Sequence, residues 1–390
     1  MITTQRLLSA PPQQPAMGKP SYVPACDGPG VAVDPPRGGR VPAHASVRFS
    51  SRSIESVRSA LRALASEAGP TVGLNGVTPL RPLVAEAHEV LRERLEKGGS
   101  VEDYLQGRAR LADSALTGLL HFASVATGVR GASMVAPLAV VAAGGYGRNE
   151  LAPGSDLDVL FLLPDQHGLG SKGAAAATAA CIEGVVAGLW TLGFALDHAA
   201  RSPRECLDLA RNDPAVLANL LDRRFLWGSY GLFAELDTAI AEIFSGPEAA
   251  RWSRAVGAAL ATNYRHAPHG THTQEDEPDV KRAPGGLRDL QRAVSATPLP
   301  SGRSAALTDP LLIEAHRFLW LVRCHLHLLA GRPEDRLISI RQQAVARRLG
   351  LDEPEGGTAT PCLLKHFRHH AQNVLQAATL AAASEPVLPH

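Results

Sequence analysis

Apolar residues recur at helical spacing from about Ser53 onward, beginning with Leu61, Leu64 and Ala65. Leu83, Ala87, Val90, Leu91 and Leu95 form an i, i+4, i+7, i+8 stripe. Leu105, Leu111, Leu116, Leu119, Leu120 and Phe122 carry a further helix over about 101–126. The pattern then changes. Pro137-Leu-Ala-Val-Val-Ala-Ala is a short continuous apolar run ending in Gly144-Gly145, which predicts a buried strand running into a tight turn. A second strand is predicted over Leu157–Leu163, stopped by Pro164, then an Ala-rich helix over 173–191 and a short third strand near 194–199. Helices are predicted over 203–211, 214–226, 232–244 and 248–266. A polar, Pro/Gly-rich loop follows over 267–286, then a helix beginning near Leu287 and others over 308–332, 340–350 and 358–383. Residues 1–50 differ from all of this. Pro11, Pro12, Pro15, Pro20, Pro24, Pro29, Pro35, Pro36 and Pro42 interrupt them, and almost no apolar periodicity remains. Such a segment cannot bury enough surface to offset its ordering entropy, so a disordered leader is expected.

Composition narrows the class. Hydrophobic residues make up 45% of the 390 and charged residues 20%, ordinary globular usage that excludes wholesale disorder and fibrous architectures. A net charge of +1 demands no basic face for nucleic acid. The five cysteines, Cys26, Cys181, Cys206, Cys324 and Cys362, are scattered without a C-x-x-C pair, which reads as reduced thiols rather than a disulfide frame or zinc knuckle. No charge-free apolar run approaches 18 residues, and the N-terminus lacks the apolar core of a secretory signal. The expectation is a soluble cytoplasmic protein with no membrane or nucleic-acid partner.

The chemistry concentrates in Gly144-Gly-Tyr-Gly-Arg-Asn-Glu-Leu-Ala-Pro-Gly-Ser-Asp-Leu-Asp158. Asp156 and Asp158 are two apart on a predicted strand, so their side chains share one face. Two neighbouring carboxylates are costly to bury unless a cation neutralises them, and hard oxygen ligands suit Mg2+ or Mn2+, with phosphate oxygens completing the shell. Gly144 and Gly145 carry no side chains, so a polyphosphate can approach the backbone amides of the turn. Ser155 adds a hydroxyl beside the first carboxylate. A strand, a Gly-Gly turn, ten intervening residues and D-x-D on the next strand is the layout expected for transfer of a nucleotide from a triphosphate. Glu150 stands where the dinucleotide pattern G-x-G-x-x-G needs its third glycine, which argues against that fold.

The block GGYGRNELAPGSDLDVLFLLP closely resembles the nucleotidyltransferase signature of the bifunctional uridylyltransferase/uridylyl-removing enzymes that act on nitrogen regulatory protein PII. Residues 189–228, PDVKRAPGGLRDLQ (278–291) and FLWLVRCHLHLLAGRPEDRL (318–337) are similar to segments that follow in that family, in the same order. The resemblance, spanning about 80–383, implies an α+β protein. It would hold a polymerase-β-like core (131–228), preceded by N-terminal helices (51–130) and followed by an all-α domain (229–390). It implies transfer of UMP from UTP to a tyrosine hydroxyl of PII, releasing pyrophosphate. Asp156 and Asp158 are then the metal-binding catalytic carboxylates, and Gly144, Gly145, Arg148 and Ser155 the nucleotide-binding residues. Asp197 is a weak candidate for a third carboxylate. The rival readings are a non-catalytic module that docks PII or another regulator, and a relative that transfers AMP to a different protein.

Other residues carry two readings each. Arg148 could contact the triphosphate or pair with Glu150 across the turn. His198 and Arg201 also match family positions. Lys281 and Arg288 could contact substrate phosphates and Gly285-Gly286 an anion, or an Arg288–Asp289 pair could lock two units together. His325 and His327 do not share a helix face, which discounts a metal pair; His366, His369 and His370 read as one polar helix face. Local departures from the family include Asn149 in place of glycine and Ser339-Ile340 in place of Phe-Asp. None of the 15 histidines is followed by Asp, so no His-Asp hydrolase, and hence no uridylyl-removing activity, is expected within these residues.

Overall fold

A computed structural model describes residues 54–63, 74–126, 137–165, 172–262, 276–295, 307–351 and 359–383. The Pro-rich segment 1–50, and the parts of the 248–266 helix and the 267–286 loop that cover 263–275, lie outside them. A helix α1 over 54–63 and a 3-10 turn Leu74–Leu80 lead into α2 (Arg81–Glu96) and α3 (Val101–Ala126). Strands β1 (Ala139–Ala142), β2 (Leu157–Leu162), β3 (Leu196–Arg201) and β4 (Arg224–Gly228) form one mixed sheet in the order β3-β2-β1-β4. β1 runs antiparallel to both β2 and β4, while β2 and β3 are parallel. The chain is therefore helix-rich with a small four-stranded sheet, an α+β arrangement.

Pleating divides the sheet into two buried faces. Val140, Ala142, Leu157, Val159 and Phe161 pack against α3 and α5 (Lys172–Leu192). Ala139, Val141, Leu160 and Leu162 face the other way, onto α6 (Pro203–Asn212), α7 (Pro214–Leu221), α8 (Tyr230–Ser245) and α9 (Ala249–Thr262). Covered on both sides, β1 and β2 read as continuous apolar runs rather than alternating ones. α5 is long and apolar enough to cross a membrane by composition, but half of it is buried in this core, Cys181, Val185 and Leu189 among its inner residues.

A third cluster holds α10 (Leu287–Ser295), α11 (Pro310–Ala330), α12 (Ser339–Arg348) and α13 (Ala359–Ala383). Asp309 accepts the Leu311 amide at 2.9 Å to cap α11, with Pro310 in the first turn and Gly331 in left-handed backbone after its last. α2 and α3 belong to both units. Val84, Ala87 and the second half of α3 pack on the sheet, whereas Leu91, Leu95, Val101, Tyr104 and Leu105 pack with the C-terminal helices. Arg317 donates to Glu102 at 2.6 Å and Arg348 pairs with Glu96 at 3.4 Å across that junction. The two units are thus set against one spine, with a cleft between them.

Two elements differ from the sequence expectation. The helix expected over 214–226 ends at Leu221, and Arg-Phe-Leu-Trp-Gly (224–228) becomes the edge strand β4. A short apolar run does not distinguish buried helix from strand by periodicity, and here the Phe-Leu-Trp composition and pairing with β1 decide it. The turn at Gly144-Gly145 is a single helical turn, α4 (Gly144–Gly147), rather than a tight reversal.

Candidate active site

The site forms where β1 ends and β2 begins. The Ala143 amide donates to the Asp158 carbonyl at 3.0 Å, so the glycine turn lies against the first residues of β2. Gly144 adopts φ +52, and a Cβ there would run into the side chain of Asn219 and lie 2.9 Å from Oδ2 of Asp158. A Cβ on Gly147 would collide with the Asp222 carbonyl. Glycine is required at both places for different reasons, backbone sign at one and close approach at the other. Asn149 is the sole non-glycine residue with positive φ (62) among those described. That explains why glycine suits the position and why asparagine, which tolerates left-handed backbone, replaces it.

Tyr146 fixes the turn from beneath. Its ring is fully buried and its hydroxyl donates to Asp113 of α3 at 2.7 Å. Arg224 of β4 grips the same carboxylate with two bonds, 2.8 and 3.1 Å, and stacks over the ring at 5.3 Å. The loop after the turn is held from both units. Ser155 Oγ accepts the Ala152 amide at 3.2 Å, and Arg108 of α3 donates to the Pro153 carbonyl at 2.9 Å. The Gly154 amide donates to His327 Nδ1 at 3.1 Å. That bond leaves Nε2 as the protonated nitrogen, which donates to Asp335 at 3.0 Å. Burial keeps the His327 pKa low, so the ring is neutral. His325 faces elsewhere and is pushed to about 3 by burial and Arg348.

The carboxylates converge as the spacing implied, and a third joins them. Asp158 and Asp197 are register partners on parallel strands and Asp156 lies two residues before, so all three project on the α7 side of the sheet. No side chain among the described residues hydrogen-bonds to the Asp158 carboxylate. Burial, then Asp197 and Asp156, raise its pKa from 3.8 to about 6. Arg148 and Lys281 act in the other direction but do not offset burial and the neighbouring carboxylates. No three potential ligands among the described residues come close enough to enclose a metal unaided. By donor chemistry, the hard carboxylate oxygens of Asp156 and Asp158 would suit a hard divalent cation whose remaining ligands are non-protein oxygens.

Arg148 makes the ion pair and also lines the cleft. Its guanidinium lies 2.6 Å from Glu150 and 2.6 Å from Asp222, and Glu150 also takes His316 Nε2 at 2.9 Å. Burial opposes the charge of Glu150, but Arg148 and His316 outweigh it and bring the carboxyl to about 2. Opposite the carboxylates, the helical unit offers Lys281, Arg288, Arg323 and Arg332 to a cleft of about 1100 Å³ that also reaches Gly144, Gly145, Ser155, Asp156 and Asp158. Burial, with Arg323 next, lowers Lys281 to about 8; burial and Arg148 lower Arg288, whose Nε is buried without a partner. Arg288 and Asp289 part company. Asp289 turns inward to the Gly285 amide (2.8 Å) and Arg292 (3.3 Å), so that Gly285 amide is already engaged and the lock expected between Arg288 and Asp289 does not form. His370 is buried against the Phe318 ring at 4.6 Å, so the three histidines of α13 are not one polar face.

A glycine turn, a carboxylate cluster on a mixed sheet and a cationic wall across a cleft are the parts of a nucleotidyltransferase. Comparison with known proteins agrees. Residues 85–207 match the family model described as putative nucleotidyltransferase DUF294, and residues 258–381 the model described as GlnD PII-uridylyltransferase. The chain is 32% identical over 299 residues to the bifunctional uridylyltransferase/uridylyl-removing enzyme of Rhodospirillum rubrum, covering 73% of this chain and 31% of that protein. To the enzyme of the same name from Cereibacter sphaeroides it is 36% identical over 250 residues (61% and 26%), and to that from Gluconobacter oxydans 31% over 360 residues (85% and 36%). The chain belongs to this uridylyltransferase family, and spans about a third of the length of the curated relatives it matches.

Proposed function

We propose that the protein is a metal-dependent nucleotidyltransferase that moves UMP from UTP to a tyrosine hydroxyl of PII, releasing pyrophosphate. The observation that carries this reading is the unpartnered Asp158 carboxylate, flanked by Asp156 and Asp197 and facing Lys281 and Arg288 across the cleft. Mg2+ or Mn2+ would be held by Asp156 and Asp158, where it would supply charge neutralisation for the α-phosphate and the departing pyrophosphate. The chain's own groups do the rest. Gly144 and Gly145 leave backbone open to the phosphates, Ser155 braces the loop carrying Asp156, and Lys281 and Arg288 compensate the triphosphate charge. Arg148 serves by fixing the turn to Asp222 and Glu150. In this reading the sheet unit is a polymerase-β-like core.

The test is a panel of nucleoside triphosphates with purified PII as acceptor, scored by mass shift with and without magnesium. UTP-dependent modification is expected. Transfer from ATP alone would place the chain with protein adenylyltransferases, and transfer from none would refute the reading.

A further inference from the structure

A second cavity lies on the other side of Asp158, about 510 Å³ in volume, beneath α7 and α9 on the face of β2 and β3. It meets the main cleft at Asp158, Asn219, Arg288 and Gln291, which line both. The three carboxylates are partitioned between the two spaces. Asp156 lines only the cleft, Asp197 lines only the cavity, and Asp158 lines both. The cleft holds the glycine turn and the cations Lys281, Arg323 and Arg332; the cavity lacks that turn and presents Leu160, Ala199, Val216 and Leu260 beside His198, Arg201 and Asp213.

We propose that this second cavity receives the acceptor side chain. The inference rests on the transfer reading above and assigns the acceptor's place within it. In-line displacement requires the attacking oxygen and the leaving pyrophosphate on opposite sides of the α-phosphorus. The glycine turn and the cations fix the pyrophosphate in the cleft, so the attacking oxygen approaches from the side of Asp197. A bond forms between the acceptor oxygen and the α-phosphorus while the bond to the α,β-bridging oxygen breaks, its electron pair leaving with pyrophosphate. The hydroxyl proton passes to the Asp197 carboxylate. Apolar contacts from Leu160, Ala199, Val216 and Leu260 among polar groups that include Asp158 and Asp197 suit a side chain with an apolar body and a hydroxyl tip, an aromatic alcohol in chemical class. The cavity is half the size of the cleft, matching one ring with its flanking backbone rather than a nucleoside triphosphate.

The test fills the cavity without touching the carboxylates. Ala215→Trp starts from an exposed residue on α7, and Ala199→Leu from a half-buried residue on β3; thermal melts confirm that each folds. Two quantities are read for each, the affinity for Mg·UTP by calorimetry and the KM for PII in the transfer assay. The expected result is a KM for PII raised tenfold or more in both variants, with Mg·UTP affinity within twofold of the parent chain. Unchanged KM with normal Mg·UTP affinity would overturn the acceptor assignment and leave the transfer reading standing. Lost Mg·UTP affinity in both folded variants would overturn it differently, by showing that the cavity holds part of the nucleotide. A parent chain that binds no Mg·UTP and modifies no PII would refute the transfer reading itself, and the acceptor cavity with it.

Discussion

The two ends of the glycine turn handle charge in opposite ways. At Arg148, Glu150 and Asp222, every charge is matched within 2.6 Å and the network is locked. At Asp156, Asp158 and Asp197, like charges are gathered without a cation in contact among the described residues, and Asp158 is driven toward its neutral form. The first arrangement holds the backbone, and the second is incomplete until something positive arrives. The difference separates structural from chemical residues more sharply than residue type does, since carboxylates take part in both regions. Perturbed, uncompensated groups cluster at functional sites because the compensation is supplied by the ligand.

The largest effect that tests this contrast is Asp158→Asn. Transfer should fall by about 10³-fold or more, yet the fold should become more stable at pH 7.5. The sign follows from the pKa. Asp158 titrates near 6 in the folded chain against an ordinary 3.8, so its contribution is favourable below about 4 and is lost as pH rises through 6. Removing the charge should raise Tm by about 2–4 °C at pH 7.5, with the gain vanishing in melts at low pH. Arg148→Ala should do the reverse, lowering stability by roughly 3 kcal/mol because Glu150 and Asp222 each lose their 2.6 Å guanidinium partner; urea unfolding measures it.

Across the cleft, Arg288→Ala and Lys281→Ala should raise the KM for the nucleotide by roughly 10- to 100-fold, since each removes a cation facing the phosphates, with melting curves unchanged. A smaller effect belongs to Glu150. Its carboxyl lies near 2 when folded against 4.5 ordinarily, so its stabilisation is present above about 4.5 and is lost as pH falls toward 2. Glu150→Gln should therefore flatten the acid limb of the stability curve. The smallest is Asn149→Gly, which relieves left-handed backbone and should stabilise by a few tenths to about 1 kcal/mol.

Much of this was legible in the chain itself. Helical spacing located α3 over 101–126, and the D-x-D spacing placed Asp156 and Asp158 on one face because strand pleating leaves no alternative. β4 was not legible, since an apolar run after Asp222 continues the helical pattern and only pairing with β1 reveals the strand. Asp197 shares the site because β2 and β3 are parallel and in register, a fact of topology that no local pattern carries. Asp197 was named only through the family resemblance; Asn219, Asp113 and His327 were not singled out as site residues. Each reaches the site from an element distant in sequence, and the signals that could have found them are the cluster Asp222-Arg223-Arg224 and a histidine with a carboxylate eight residues on.

The claim that an open carboxylate cluster faces a cationic wall in order to bind a metal–nucleotide is tested most directly by calorimetric titration of Mg·UTP into the parent chain and the Asp158→Asn variant, both confirmed folded. Saturable, magnesium-dependent binding to the parent that is lost in the variant is expected. Equal binding to both, or none to either, would contradict it.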